Sequence, residues 1–414
     1  MATEAVTVLQ SKRILLGVCG SIAAYKAVDL ASKLTQAGAL VDVILTEAAE
    51  HFVTALTFQA VTGRPVYDSL WQNGGASLPT HIAHVGLGEG ADLLVVAPAT
   101  ANTLAKLAHG LADDLLSVTA LTARCPLLIA PAMDGGMYAH PAVQANLQTL
   151  TERGARLIEP DEGRFASGLV GRGRLPETPA LLGHIRRALG ANGALHGRRV
   201  IVTAGGTREA IDPVRYLTNR SSGKQGYALA QAALDAGAAV MLVSSAALPT
   251  PTGATLVAVN SAGEMLDAVL AHLPGSDALL MAAAVADFRP QAAADHKIKK
   301  REGSDDAPTL VLTRTADILM AVKAQRANSG FPRVVVGFAA ESHDLLAYAA
   351  DKLARKGLDM LVANDISAPD AGFEVDTNRV VFLTPDGQEA LALTSKTRVA
   401  EALIERVAGL LAGR

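Results

Sequence analysis

The chain has little from which to make a staple, a membrane anchor or a grip on nucleic acid. It has two cysteines, Cys19 and Cys125, too few for a disulfide framework. Both lie in apolar or glycine-rich surroundings, where a plain core role is the ordinary reading. Aromatic residues make up 4% of the sequence, and no basic tract flanked by aromatics appears. The formal net charge of −3 is too small to argue for nucleic acid or a strongly charged partner. No run of about 18 apolar residues occurs, so no membrane span is expected. The opening MATEAVTVLQSKRILLGV has an early acidic residue and only a short apolar run, unlike a secretory signal. The expectation is a soluble, cytoplasmic protein.

What is present is alanine, leucine, valine and glycine. Half of the 414 residues are hydrophobic, enough for sizeable cores in two or three domains. Small residues suit α/β folds, in which helices pack closely on sheets. One pattern occurs twice. KRILLGV reads as a buried strand, GSIAAYKAVDLASKLTQAG as a helix ending at Gly38, and ALVDVILT as a second strand. Further on, RRVIVTA, GKQGYALAQAALDAG ending at Gly237, and AAVMLVSS repeat it. Such units imply parallel strands joined by right-handed crossovers. Between them, RRALGANGALHGRR is rich in glycine and small residues, which places a domain boundary near Asn192. The expected fold is α/β, two doubly wound (Rossmann-like) domains spanning residues 1–191 and 192–414.

More short apolar runs follow in each half: DLLVVAPAT and CPLLIAPAM in the first, DALLMAAAVAD, RVVVGFAAE and DMLVAND in the second. In an open α/β sheet their carboxyl ends line the ligand crevice. Many α/β proteins begin this way and bind unrelated ligands. Neither half carries G-x-G-x-x-G, and neither second strand ends in an acidic residue for a ribose. An ordinary dinucleotide dehydrogenase is therefore disfavoured.

Several residues stand out, each with a bland reading beside the functional one. Gly20 and Ser21 sit at a strand-to-helix turn, where backbone N–H groups can hold a phosphate or merely make a tight turn; the two are evenly weighted. Ala97 to Thr100 end a strand in small residues, and Ser117 follows on a helix. His81 and His84 precede a glycine-rich segment; a lone histidine is more often structural. Asp134 in PAMDGGMYAHP is an ordinary turn-capping type. GRFASGLVGRGRLPE, Gly163 to Glu177, is either a surface loop or a lid over a ligand. LTNRSSGKQG, Leu217 to Gly226, looks like a phosphate loop, yet Thr218 and Gln225 stand where a Walker motif needs Gly and Ser or Thr.

In order, GSIAAYK, a histidine before a strand ending APAT, PAM-x-x-x-M-Y-x-H-P and a glycine-rich flap resemble the FMN-dependent, flavodoxin-like phosphopantothenoylcysteine decarboxylases. The second half resembles the phosphopantothenate–cysteine ligases through TAGGTREAIDPVRYLTNRSSGKQG (Thr203 to Gly226), AAAVADF, HKIKK, VGFAAE, the pair Lys352 and Lys356, and ANDIS. Over nearly its whole length the chain resembles the bifunctional coenzyme A biosynthesis family, decarboxylase first and ligase second. The resemblance implies FMN held by Gly20, Ser21, Thr46, Pro98, Ala99, Thr100 and Ser117. His84 is implied for the first steps of decarboxylation. The substrate's cysteine portion is oxidised to a thioaldehyde-like species, loses CO₂, and is reduced and protonated. In the ligase half the implied substrates are 4′-phosphopantothenate, cysteine and CTP. An acyl-cytidylate forms with loss of pyrophosphate, and the cysteine amine displaces CMP. Asn219 is implied to contact that intermediate. CTP contacts are implied at Ala282, Ala283, Asp287, Lys297, Ala316, Asp317, Ile318, Leu319, Phe338, Lys352 and Lys356, with Asp287 beside Mg²⁺. Homo-oligomers are implied too, with trimeric contacts in the first half and dimeric in the second.

Two positions depart from the family pattern. The flap cysteine is Ser167, and the PAMN asparagine is Asp134. Serine is a far weaker acid than cysteine, whose reference pKa is about 8.5. An ionised Asp134 would repel a substrate carboxylate; a raised pKa would let it donate a hydrogen bond or a proton. The expectation is that Asp134 and Ser167 act together in place of the asparagine–cysteine pair. The alternative is a ligase whose flavin half is an assembly module.

Overall fold

The computed structural model describes residues 6–71, 78, 80–299, 309–341, 345–365 and 375–413, without the side chains of 340, 341, 345–348 and 365. The chain divides into two units, Met1–Gly190 and Ala191–Arg414.

The first unit holds a sheet of β1 (Arg13–Val18), β2 (Leu40–Leu45), β3 (Val66–Tyr67), β4 (Leu93–Ala99), β5 (Leu127–Pro131) and β6 (Arg156–Leu157). Their order is β3-β2-β1-β4-β5-β6, and every pairing is parallel. Parallel strands need cover on both faces, and alternate residues of β1 supply two cores. Ile14, Leu16 and Val18 pack with Ala27, Leu30 and Leu34 of the helix Ala24–Gln36. Leu15 faces the other way, with Leu104, Leu116 and Leu147. That helix carries its apolar residues at three- and four-residue spacing, as one buried face requires. Gly38 follows it at φ 98°, a conformation that favours glycine. Asp42, buried in β2, accepts from Arg13 Nε at 2.8 Å and Arg64 Nε at 2.9 Å. An antiparallel hairpin, β7 (Asp161–Arg164) and β8 (Val170–Arg174), follows the sheet.

The second unit repeats the plan. Its main sheet comprises β9 (Arg199–Ala204), β12 (Ala239–Ser244), β13 (Thr255–Ala258), β14 (Ala278–Met281), β17 (Val334–Glu341), β18 (Met360–Asp365), β19 (Thr377–Thr384) and β20 (Gly387–Ser395). Two small hairpins interrupt the sequence: β10 (Arg208–Ala210) with β11 (Tyr216–Thr218), and β15 (Phe288–Pro290) with β16 (Leu312–Arg314). The sheet order is β13-β12-β9-β14-β17-β18-β19-β20. The first six in space are parallel, and the last two strands are antiparallel.

Each unit thus contains the doubly wound order 3-2-1-4-5-6, which reverses direction beside its first strand and leaves a crevice at the carboxyl ends there. The first unit shares the doubly wound build with flavodoxin-like folds but takes this six-strand order. The crevices lie beyond β1 and β4 in one unit and β9 and β14 in the other. Among the described residues no helix is long and apolar enough to cross a membrane.

Candidate active sites

At the end of β1, Gly20 answers a packing demand. A Cβ there would lie 2.5 Å from Ala48 Cβ and 2.8 Å from the Ala48 carbonyl. The Ser21 N–H donates to Cys19 O at 2.9 Å, and Ser21 Oγ accepts from Ala23 N at 3.3 Å. Across the crevice, Cys19 N donates to Pro98 O and Ala132 N to Ala99 O. Thr100 caps the helix Ala101–His109 by accepting from Thr103 N. Ser117 is buried in a capping box: its N–H donates to Asp114 Oδ1 at 2.8 Å, and its hydroxyl accepts from Asp114 N at 3.2 Å. Thr46 differs. Its Oγ1, at the end of β2, is buried without a partner among the described residues. The buried Cys19 thiol is pushed up to about 11 by loss of solvent. It stays protonated at neutral pH, so it is a core residue rather than a nucleophile.

His84 is half-buried on the helix Ala83–Gly90, its carbonyl accepting from Thr122 Oγ1 at 2.9 Å. His81 is exposed before that helix. The β7–β8 flap is docked at its stem. Met133 N donates to Gly173 O at 2.9 Å, and a Cβ on Gly173 would meet Met133 O at 2.2 Å. Phe165 packs against Gly135 and Gly171. The turn then brings Ser167 over Asp134: the hydroxyl donates to Asp134 Oδ2 at 2.9 Å, while Gly136 N donates to Oδ1 at 3.1 Å. Both carboxylate oxygens accept in this geometry. A cleft of ≈ 550 Å³ opens beside them, lined by Asp134, Tyr138, Phe165, Leu169 and Arg172 among others. Lys26 of GSIAAYK, only 7% exposed, went unflagged in the sequence. It donates to Leu175 O at 2.9 Å and Glu177 Oε1 at 2.7 Å, holding the segment that leaves the flap.

In the second unit a cleft of ≈ 850 Å³ gathers Asn219, Ala282, Ala283, Asp287, Ala316, Asp317, Ile318, Leu319, Phe338, Lys352 and Lys356. The glycines of SSGKQG allow close approach. A Cβ on Gly226 would lie 2.5 Å from Ala204 Cβ, and one on Gly223, at φ 79°, 2.6 Å from Ala246 Cβ. Lys224 pairs with Asp376 at 2.6 Å. Asn219 spends its amide hydrogens on Ala284 O (3.4 Å) and Val285 O (3.2 Å), tying itself to the strand end. Asp317 caps the helix Ile318–Ser329 through Met320 N and pairs with the buried Lys356. Lys352 donates to Phe338 O at 2.7 Å.

The structure does not bring Lys297 to this cleft. Its side chain is exposed on a loop, as is that of Lys299. Lys300 of HKIKK, with Ile366 and Ser367 of ANDIS, lies outside the described residues. Sequence reasoning missed Lys396 and Asn378 in the wall, and gave no role to Gln225 and Asn364 within the motifs it quoted. Lys396 is 6% exposed and donates to Val375 O. Asn378 Nδ2 donates to Gln225 Oε1 at 3.1 Å. Asn364 Oδ1 is buried without a partner among the described residues. A lysine at the start of the long apolar-faced final helix was the available signal for Lys396. Among the described residues no group of three or more His, Cys, Asp and Glu side chains could hold a metal.

Two family models cover nearly the whole chain. The one described as Flavoprotein matches residues 3–190, and the DNA/pantothenate metabolism flavoprotein C-terminal domain matches residues 195–411. A coenzyme A biosynthesis bifunctional protein of Bacillus subtilis is 46% identical over 97% of this chain and 98% of its own. One from Mycobacterium tuberculosis is 48% identical over 97% of each. A crystal structure of the C-terminal domain of such a bifunctional protein is 38% identical, covering 54% of this chain and all of its own, with a TM-score of 0.45.

Proposed function

The chain belongs to the family of bifunctional coenzyme A biosynthesis proteins, and from that membership we propose that it performs two consecutive steps. The second unit joins cysteine to 4′-phosphopantothenate at the expense of CTP. The first, with FMN, decarboxylates the resulting phosphopantothenoylcysteine to 4′-phosphopantetheine. The observation that carries this reading is the ≈ 850 Å³ cleft. Segments running from Asn219 to Lys356, far apart in sequence and chosen by motif, line one cavity.

A free carboxylate is a poor acyl donor. Its oxygen attacks the α-phosphorus of CTP, the bond to pyrophosphate breaks, and an acyl-cytidylate forms. The cysteine amine then attacks the acyl carbon and CMP leaves. Lys352 and Lys356 offset the charge on the phosphates, where fixed cations act strongly in a partly dehydrated site. Asp287 suits Mg²⁺, which is commonly held by one or two carboxylates together with substrate phosphates. Asn219 sits where backbone carbonyls hold it rigid. Lys297 approaches from its exposed loop.

In the first unit the crevice fits a flavin mononucleotide. Gly20 keeps the turn after β1 free of a side chain, and Thr46 Oγ1 is an unspent polar atom at the strand ends. When bound, FMN would supply the two-electron oxidation that makes loss of CO₂ easy and the reduction that follows. Ser167 and Asp134 form a hydrogen-bonded pair along which a proton can pass from the flap. His84 serves the opening steps. A ligase-only reading is disfavoured by membership in a bifunctional family.

The proposal extends to a cytoplasmic homo-oligomer, as the family resemblance implies. Trimeric contacts in the first unit would cover exposed apolar residues such as Ile22, Tyr25 and Leu56; dimeric contacts in the second would cover Val214, Tyr216 and Phe288. Incubation with phosphopantothenate, cysteine, CTP and Mg²⁺, followed by mass analysis, tests the whole reading. A phosphopantetheine mass is expected. Accumulation of phosphopantothenoylcysteine would mean that Ser167 and Asp134 do not support the second step.

A further inference from the structure

Lys297 lies outside the cleft, yet its loop is not left to itself. Ile298, its neighbour, has both backbone polar groups bound by one ion pair. Ile298 N donates to Asp212 Oδ2 at 3.1 Å, and Arg215 Nη2 donates to Ile298 O at 2.6 Å. A third bond joins Ala294 N to Ile211 O at 2.9 Å. All three partners sit on the turn between β10 and β11. The same hairpin carries Asn219, one residue beyond β11. One small hairpin therefore brackets two residues almost eighty positions apart that the proposed ligation uses together.

Asp212 is the keystone of that turn. It is 4% exposed. Its Oδ1 accepts from Val214 N and Arg215 N, both at 2.8 Å. Its Oδ2 accepts from Arg215 Nε at 2.9 Å, from Nη2 at 2.6 Å and from Ile298 N. The Arg215 guanidinium, with these backbone donors, holds the carboxyl well below the usual carboxylate range. Every donor faces an oxygen. An amide in its place can accept on one side only; the other side would present N–H groups to N–H groups, leaving buried donors unmet.

We propose that Asp212 is a positioning residue for the ligation step, acting through Ile298 to hold the Lys297 loop in register with Asn219. The proposal rests on the assignment of Lys297 to that step, so Lys297→Ala must be measured beside it. In the full-length protein, Asp212→Asn should lower CTP-dependent pyrophosphate release about ten- to a hundredfold in kcat/KM, the range of one or two charged hydrogen bonds. Decarboxylation of supplied phosphopantothenoylcysteine should not change, which reports that the first unit has folded, and a thermal melt like that of the wild type reports that the second has. The deciding measurement is a double-mutant cycle. If Asp212 works through Lys297, adding Asp212→Asn to Lys297→Ala costs no more than a further factor of about two. A full multiplication of the two losses would overturn the proposal while leaving Lys297 its role. A Lys297→Ala variant with normal ligation would overturn both. Should Asp212→Asn fail to fold, Asp212→Glu, which keeps both acceptor oxygens but moves them away from Ile298 N, serves in the same cycle. Its loss of ligation must likewise vanish in the Lys297→Ala background.

Discussion

Beyond β1 and β4, the crevice of the first unit is built from small, neutral residues whose polar groups are largely committed: Thr100 and Ser117 to helix caps, the Ser21 backbone amide to Cys19. Beyond β9 and β14, the same topology opens onto lysines, aspartates and asparagines brought in from later loops and from the final helix. The strand order is shared, and the chemistry of the walls is not. A doubly wound sheet supplies a crevice but does not choose what fills it; the loops after each strand do that. The first unit completes its site with a hairpin folded over the PAMDGG loop. The second completes its site with a charged wall.

If the charged wall is what distinguishes the second unit, discharging it should stop one reaction and spare the other. Lys356→Met removes a buried ammonium from the cleft and should lower ligation about a hundred- to a thousandfold, as loss of a preorganised charge does. Decarboxylation of supplied phosphopantothenoylcysteine should remain. A melting temperature of the second unit lowered together with ligation would show that the residue serves folding and not the nucleotide.

The mirror of that test lies on the flap. Asp134→Asn keeps the shape and keeps an acceptor for Gly136 N–H, but it ends the carboxylate's part in the pair with Ser167. Decarboxylation should fall about a hundredfold, a usual contribution of a positioned acid or base. Ligation followed by pyrophosphate release should be unaltered. Unchanged phosphopantetheine formation would end the idea that Asp134 and Ser167 work together.

Much of this was legible because it is local. Short continuous apolar runs and the helical runs ending at Gly38 and Gly237 marked the strand–helix–strand starts, and motif order brought most of the cleft residues into view. The Asp134–Ser167 pairing was legible as two departures that fall on linked positions. What could not be read depends on contacts distant in sequence. Gly20 read evenly as a phosphate site or a tight turn, and Gly223 and Gly226 lay in a stretch like a phosphate loop; in the fold each is also where a Cβ would strike Ala48, Ala246 or Ala204. Ser117, which the resemblance implies as a ligand contact, also closes a capping box with Asp114. Lys224, inside the stretch that looks like a phosphate loop, pairs with Asp376, 152 residues away. Lys297 was implied by its place in HKIKK, yet a motif does not say which way a loop hangs.

The finest test concerns two buried lysines that the fold treats differently. Lys26 donates to Glu177 and to a carbonyl near the flap exit; Lys26→Met should lose about 1–3 kcal/mol at neutral pH, the usual worth of hydrogen bonds to a charged group. Lys396 begins the helix Lys396–Ala412 in the wall of the second cleft. Burial, then repulsion from Lys224, pulls its ammonium below the ordinary 10.5, with Asp376 opposing. A lowered lysine pKa means that the charged form is less favourable in the fold than in the unfolded chain. Below the folded value both states are charged and the full penalty stands. As pH climbs from the folded value toward 10.5 the folded chain sheds its proton first, and the penalty fades. Lys396→Met carries no such term. The variant also gives up the Val375 bond, so the informative quantity is the slope with pH and not the ranking at one pH. Relative to Lys396→Met, the wild-type chain should gain stability across that alkaline window in thermal melts. A gap that stays constant, or widens against the wild type, would mean that the Lys396 ammonium is no worse off in the fold than in water. The charged wall of the second cleft would then carry no cost in stability to set against its use.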